Sequence, residues 1–194
     1  MVKTKLARAN SLLLIAILVV NTYVVAAPFV PGILFWLQRR HSLVFVRLEN
    51  KVNAPAAQRV PAQNRLLVPA MLLDQPVNEG RDLHAARNGP WRLPHTSTPD
   101  KGGNTVIIAH RFTYTNPRGA FYHLDKLQPG NEIGVYWNSQ KYIYQVTAVR
   151  TVAATQISVE APTSQPQLTL YTCTPLWLPK DRLVVTAALK EPLP

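Results

Sequence analysis

The sequence predicts an all-β domain, a barrel or a sandwich, held behind one N-terminal membrane helix. Three observations carry that expectation. From residue 65 onward, short runs rich in β-branched and aromatic residues recur between clusters of Gly, Pro and Asn. Near the C-terminus, residues 168–173 alternate in side-chain type and Val184, Val185 and Thr186 are β-branched, the pattern of two strands. Residues 11–27 are apolar except for Asn21 and Thr22, and residues 29–37 carry the apolar character past Pro28. Helix is therefore expected in the anchor and in short connections.

Residues 1–10 hold three basic side chains and no acid, which predicts a cytoplasmic N-terminus and an extracytoplasmic remainder. Val25, Ala26 and Ala27 resemble a signal-peptide cleavage site, but Pro28 would follow the scissile bond and block it. Residues 11–37 are thus expected to be a retained single-pass anchor in the cell membrane, with Phe35 and Trp36 suiting an interfacial aromatic belt. Residues 38–64 mix charge, Ala, Gln and Pro without a sustained period. They read as a stalk, partly helical over 42–49, that would hold the domain near membrane-bound substrates and raise their effective concentration.

The catalytic domain is expected over residues 65–194. It opens with an apolar run, 66–73, interrupted by Pro69, then a turn region, 74–81, and a short helix, 82–87. Residues 88–94 and 98–103 are loops rich in helix and strand breakers. Residues 104–109 form an apolar strand ending on His110. Glu132–Trp137 and residues 141–149 form a hairpin around 138–140. The strand 168–173 leads into a connection, 174–181, whose Pro175 and Pro179 cannot donate to a ladder, and Arg182 opens the last strand.

The chain of 194 residues suffices for one ordinary domain plus an anchor. Its formal charge is +11, from 21 basic and 10 acidic residues, and five of the basic ones flank the apolar N-terminal region. The others are scattered and form no nucleic-acid-binding motif, so the excess suits an anionic envelope surface and no nucleic acid is expected as partner. One cysteine, Cys173, forbids an intramolecular disulfide and, in an exported protein, points to an intermolecular bridge or a reactive thiol.

If the last two strands pair, Cys173 leaves the first where Arg182 enters the second, and a thiol meets a guanidinium. His110 ends a third strand. This trio suits acyl transfer: Cys173 as nucleophile, His110 as proton shuttle near neutrality, and Arg182 as a fixed positive donor for the oxyanion or for substrate positioning. Thr172 suits either orienting Arg182 or the substrate, or plain packing. Trp177 suits substrate contact or an ordinary loop aromatic. His41, His84, His95 and His123 are expected to be surface or packing residues. The acids are sparse and unclustered, so neither a metal nor another cofactor is expected.

At these residues, from about 66 to 189, the sequence resembles the sortase family of membrane-anchored cysteine transpeptidases. The family's histidine segment is similar to Val106-Ile-Ile-Ala-His110-Arg111, its Thr-Leu-x-Thr-Cys strand to Thr169-Leu170-Tyr171-Thr172-Cys173, and its arginine strand to Arg182-Leu183-Val184-Val185. The family's Phe-x-x-Leu-x-x-Leu-x-x-Gly-Asp segment is similar to residues 121–131. Ala109 stands where glycine is usual, which bears on backbone approach near His110. Asn131 stands where aspartate is usual, which is expected to weaken a turn. In papain-like and cell-wall amidase families the nucleophile precedes the histidine; here His110 comes first.

The resemblance implies an eight-stranded sortase-type β-barrel and a substrate, a surface protein or pilin, with a C-terminal Leu-Pro-x-Thr-Gly-like signal. It implies cleavage before the last residue of that signal and transfer to an amine of a cell-wall precursor or a pilin lysine. Two other readings share the fold: an envelope binding protein with little activity, and a peptidase whose thioester is resolved by water.

Overall fold

The computed structural model describes residues 2–40, 43–53, 61–115 and 119–192. Three helices precede the sheet: α1 (Val2–Ala26), α2 (Val30–Arg40) and α3 (Leu43–Asn53). Pro28 lacks an N–H and disfavours helical backbone in the residue before it, and the chain turns between α1 and α2 there. Pro31 is tolerated because it lies in the first turn of α2, where its missing donor would have no intrahelical partner. Within α1, Leu6–Ala26 has a mean hydropathy of 2.0 and is nowhere buried in the protein; it touches the sheet domain through the Tyr23 hydroxyl in its last turn. At about 1.5 Å per residue it matches the hydrocarbon thickness of a bilayer. Two polar side chains in this helix are satisfied locally: Asn21 donates to the Ile17 carbonyl at 2.8 Å and Ser11 to Ala7 at 3.0 Å.

The remainder is one curled sheet of eight strands: β1 (Arg65–Val68), β2 (Leu73–Pro76), β3 (Trp91–Arg92), β4 (Asn104–Ile108), β5 (Glu132–Trp137), β6 (Gln140–Ala153), β7 (Gln167–Thr174) and β8 (Asp181–Pro192). Their spatial order is β2-β1-β5-β6-β8-β7-β4-β3. All neighbours are antiparallel except β4 and β7. The two edges are brought together by a bridge between Asn78 and Trp91, in which the Asn78 N–H donates to Pro90 at 2.7 Å and Arg92 donates back to Asn78 at 3.1 Å. An edge that would otherwise offer unpaired donors is thereby covered. The expected β5–β6 hairpin forms around Asn138 and Ser139, both with positive φ (47° and 61°), which matches the twist of a two-residue hairpin turn.

Alternate residues of β1, β4, β5, β7 and β8 fill the barrel, with Leu66, Ile107, Ile133, Leu168, Leu170 and Val185 fully buried. A second cluster lies outside it: Leu48 and Val52 of α3 pack on Leu67 and Tyr136. Part of the segment expected to be a stalk is therefore folded onto the barrel. Leu48 and Val52 are four residues apart and share one helix face, a signal diluted in the sequence by the charged residues around them. Asp74 fixes the same contact, accepting from Lys51 at 2.6 Å and pairing with Arg65 at 2.8 Å. Burial alone would raise its carboxyl, but these hydrogen bonds and charges outweigh that and hold it below the usual carboxylate range.

The inner face of α2 also docks on the barrel. Phe35 is buried, and its ring stacks on His123 at 3.9 Å. This corrects the interfacial role expected for Phe35; Trp36, the next residue, points outward and is 53% exposed. Asn131 does not weaken its turn, because its side-chain oxygen accepts the Gln128 N–H at 2.9 Å as an aspartate would.

Candidate active site

Parallel pairing of β4 with β7 brings their C-terminal ends to the same end of the barrel, and antiparallel pairing brings the start of β8 there too. Cys173 and Arg182 are direct cross-strand partners, so their side chains leave the same face of the sheet. Tyr171, two residues before Cys173, shares that face.

His110 lies two residues beyond β4, yet the β4–β7 register continues to it through side chains. Ile108 pairs with Tyr171; Thr172 donates its hydroxyl to the Ala109 carbonyl at 2.8 Å; Arg111 donates to the Thr174 hydroxyl at 2.8 Å. The 63-residue separation in both bonds is that of the β4–β7 ladder, so the segment carrying His110 runs on alongside the end of β7 that carries Cys173. His110, Cys173 and Arg182 are all half-buried, as groups that must meet both protein and substrate would be.

Thr172 faces the other way. It is 2% exposed and its hydroxyl is spent on Ala109, so it clamps the backbone leading into His110 rather than facing the cleft. Trp177 sits in the β7–β8 connection, 54% exposed, its ring centroid 5.6 Å from that of Phe29.

Three features at this end of the barrel were not singled out from the sequence. Arg111 braces the site, bonding Thr174 and pairing with Asp125 at 3.4 Å; the available signal was its adjacency to His110. Gly119 crosses so close that a Cβ there would collide with the carbonyl oxygens of both His110 and Arg111, so only glycine fits. Tyr171 donates to Glu160 at 2.6 Å and thereby ties the β6–β7 connection to the face that carries Cys173. Burial, then the Glu160 hydrogen bond and charge, raise the Tyr171 phenol above its ordinary value, with Arg182 opposing. Next to His110 a cleft of about 580 Å³ opens, bounded by Gln75 and Pro76 of β2, Arg87, Gly89 and Thr115. That is room for a peptide segment.

A model of the sortase domain matches residues 66–190, most of the chain. The chain belongs to the sortase family. Sortase SrtE1 of Streptomyces coelicolor is 30% identical over 109 residues, and the match spans 51% of this chain but 30% of that relative's length. Among solved structures, sortase C of Streptococcus pneumoniae superposes with a TM-score of 0.59 at 26% identity, covering 70% of this chain and 68% of that one. Sortase A from Corynebacterium diphtheriae gives a TM-score of 0.61 at 24% identity, covering 70% and 63%. Sortase E1 from Streptomyces coelicolor, solved with a tripeptide in its active site, gives 0.58 at 23%, covering 67% and 88%. These last two likenesses bear on the fold, and they agree with a curled eight-stranded sheet as the sortase scaffold.

Proposed function

We propose that this protein is a cysteine transpeptidase that acts through a thioester on Cys173. The observation that carries the reading is the cross-strand pairing of Cys173 with Arg182, supported by the Thr172 bond that holds the segment leading into His110 beside the end of β7. The Cys173 thiolate adds to a peptide carbonyl carbon, and the Arg182 guanidinium stabilises the oxyanion that forms. Collapse expels the amine, which takes a proton from His110. An incoming amine then gives a proton to His110, adds to the thioester and releases the thiolate. Thr172 positions His110 by holding Ala109, and Trp177 is a contact at the rim.

The substrate class is a surface protein or pilin with a Leu-Pro-x-Thr-Gly-like C-terminal signal, and the acceptor is an amine of a cell-wall precursor or a pilin lysine. Family membership supports the class of substrate. In this reading α1 anchors the chain in the cell membrane with its N-terminus in the cytoplasm, and residues 65–194 work outside.

The test is a turnover assay of the full chain in lipid nanodiscs with sorting-signal peptides, with and without triglycine. The expected result is a ligated product that needs both triglycine and Cys173. Equal turnover by Cys173→Ala overturns the reading, and cleavage indifferent to the amine converts it to a water-resolved peptidase.

A further inference from the structure

The end of α1 and the turn after it touch both loops that follow the candidate catalytic residues. Tyr23, in the last turn of α1, donates its hydroxyl to the Tyr114 carbonyl at 2.7 Å, in the loop after His110. Tyr122 donates to the Pro28 carbonyl. Phe29 lies against Trp177, in the loop after Cys173. With Pro31 and Phe35 turned into the barrel, α2 presents Ile33 and Trp36 outward, both more than half exposed, and Phe29 falls on the same side at helical spacing. The β7–β8 loop adds Trp177 and Leu178, the latter 72% exposed, followed by an exposed Lys180.

An apolar patch built from two separate parts of the chain is unusual on a water-facing surface. Its position says what covers it. Phe29 is three residues past the end of α1, no more than about 11 Å of extended chain from the bilayer boundary. Aromatic side chains favour that boundary, a helix with one apolar face lies in it, and a lysine beside the patch suits anionic headgroups.

We propose that Phe29, Ile33, Trp36, Trp177 and Leu178 form a bilayer-docking surface that seats the Cys173 end of the barrel on the outer leaflet. The proposal rests on α1 being a membrane anchor and deepens the proposed function. Cys173 is four residues from Trp177, at most about 14 Å along the chain. The thiol therefore works next to the headgroups, on a signal presented by a substrate that is itself at the membrane, and not on peptides held away on a stalk.

The test uses the full chain reconstituted in phosphatidylcholine/phosphatidylglycerol vesicles, plain or brominated on the acyl chains near the headgroups. The protein has four tryptophans, and Trp91 and Trp137 are buried in the barrel, so quenching reports on Trp36 and Trp177. The expected result is weaker emission in brominated vesicles, a smaller loss in Trp36→Phe and in Trp177→Phe, and none in the double variant. If the chain floats with the vesicles but the Trp177 contribution is unquenched, the docking surface is overturned while the anchor stands; a cross-linked dimer in that sample would assign the face to a second copy. A chain that does not float overturns anchor and docking together. Transfer of soluble peptide to triglycine in the same sample reports on the enzymatic reading separately.

Discussion

Cys173 on β7 and Arg182 on β8 face each other across the ladder, one residue pair in from the loop that joins the two strands. Strand register alone sets this pairing. The Arg182 backbone is held on its other side by β6, where it pairs with Val152, so the guanidinium starts from a fixed base. In the proposed mechanism, a donor held in advance of the reaction avoids reorganisation when charge develops.

Arg182→Ala should therefore lower the turnover number by roughly 10²- to 10³-fold, the usual loss for one oxyanion donor. Arg182 is only half-buried and its remaining hydrogen bond is to the carbonyl of its neighbour Asp181, so thermal unfolding should change little. Single-turnover acylation rates and melting curves on the same preparations check both statements.

Thr172→Val removes the hydroxyl that holds the Ala109 carbonyl and leaves that buried acceptor unpaired, a cost of about 1–3 kcal/mol. Since Ala109 leads directly into His110, acylation should slow as well. Thr172→Ser keeps the donor and should restore the rate. Loss of rate in both variants alike would point to packing of the Thr172 methyl as the important contact.

Gly119→Ala forces a methyl group onto two carbonyl oxygens, and the loop after His110 must move to admit it. Overpacking of this kind costs typically about 1–3 kcal/mol. The expected signature is a displaced His110 imidazole resonance in NMR spectra together with reduced turnover. An unchanged resonance would show that the loop gives way elsewhere.

His123 provides a pH dependence. Burial lowers its pKa from 6.5 to about 4, with Asp125 opposing and Lys126 and Arg111 adding to the depression. Between those two values the unfolded chain binds more protons than the folded one. The stability that neutral His123 contributes is therefore complete above about pH 6.5 and lost as pH falls through about 4. The melting temperature should drop more steeply over this window in wild type than in His123→Phe, which keeps an aromatic ring against Phe35. Equal slopes would contradict the assignment.

Much of the candidate site was legible because its signals are local. Alternation through residues 168–173, β-branched residues at 184–186 and the prolines at 175 and 179 define two strands and a loop, and pairing them brings Cys173 to Arg182. What the sequence concealed depends on non-local contacts. The bridge from Asn78 to Trp91 involves a two-residue strand with no periodicity to read. Arg111 gains its role from Thr174 and Asp125, which are brought near by the parallel β4–β7 pairing and the connection between β4 and β5. α3 looked like tether because its apolar face is narrow, and Phe35 looked interfacial because its partner, His123, lies 88 residues away.

The most direct measurement is the intact mass of the full-length protein after mixing with a sorting-signal peptide and no amine. The expected result is a covalent adduct equal to the acyl fragment of the peptide, mapped to Cys173, slowed by His110→Ala and by Arg182→Ala, and discharged by triglycine. An adduct on another residue, or peptide turnover that persists in Cys173→Ala, would contradict a thioester mechanism at this site.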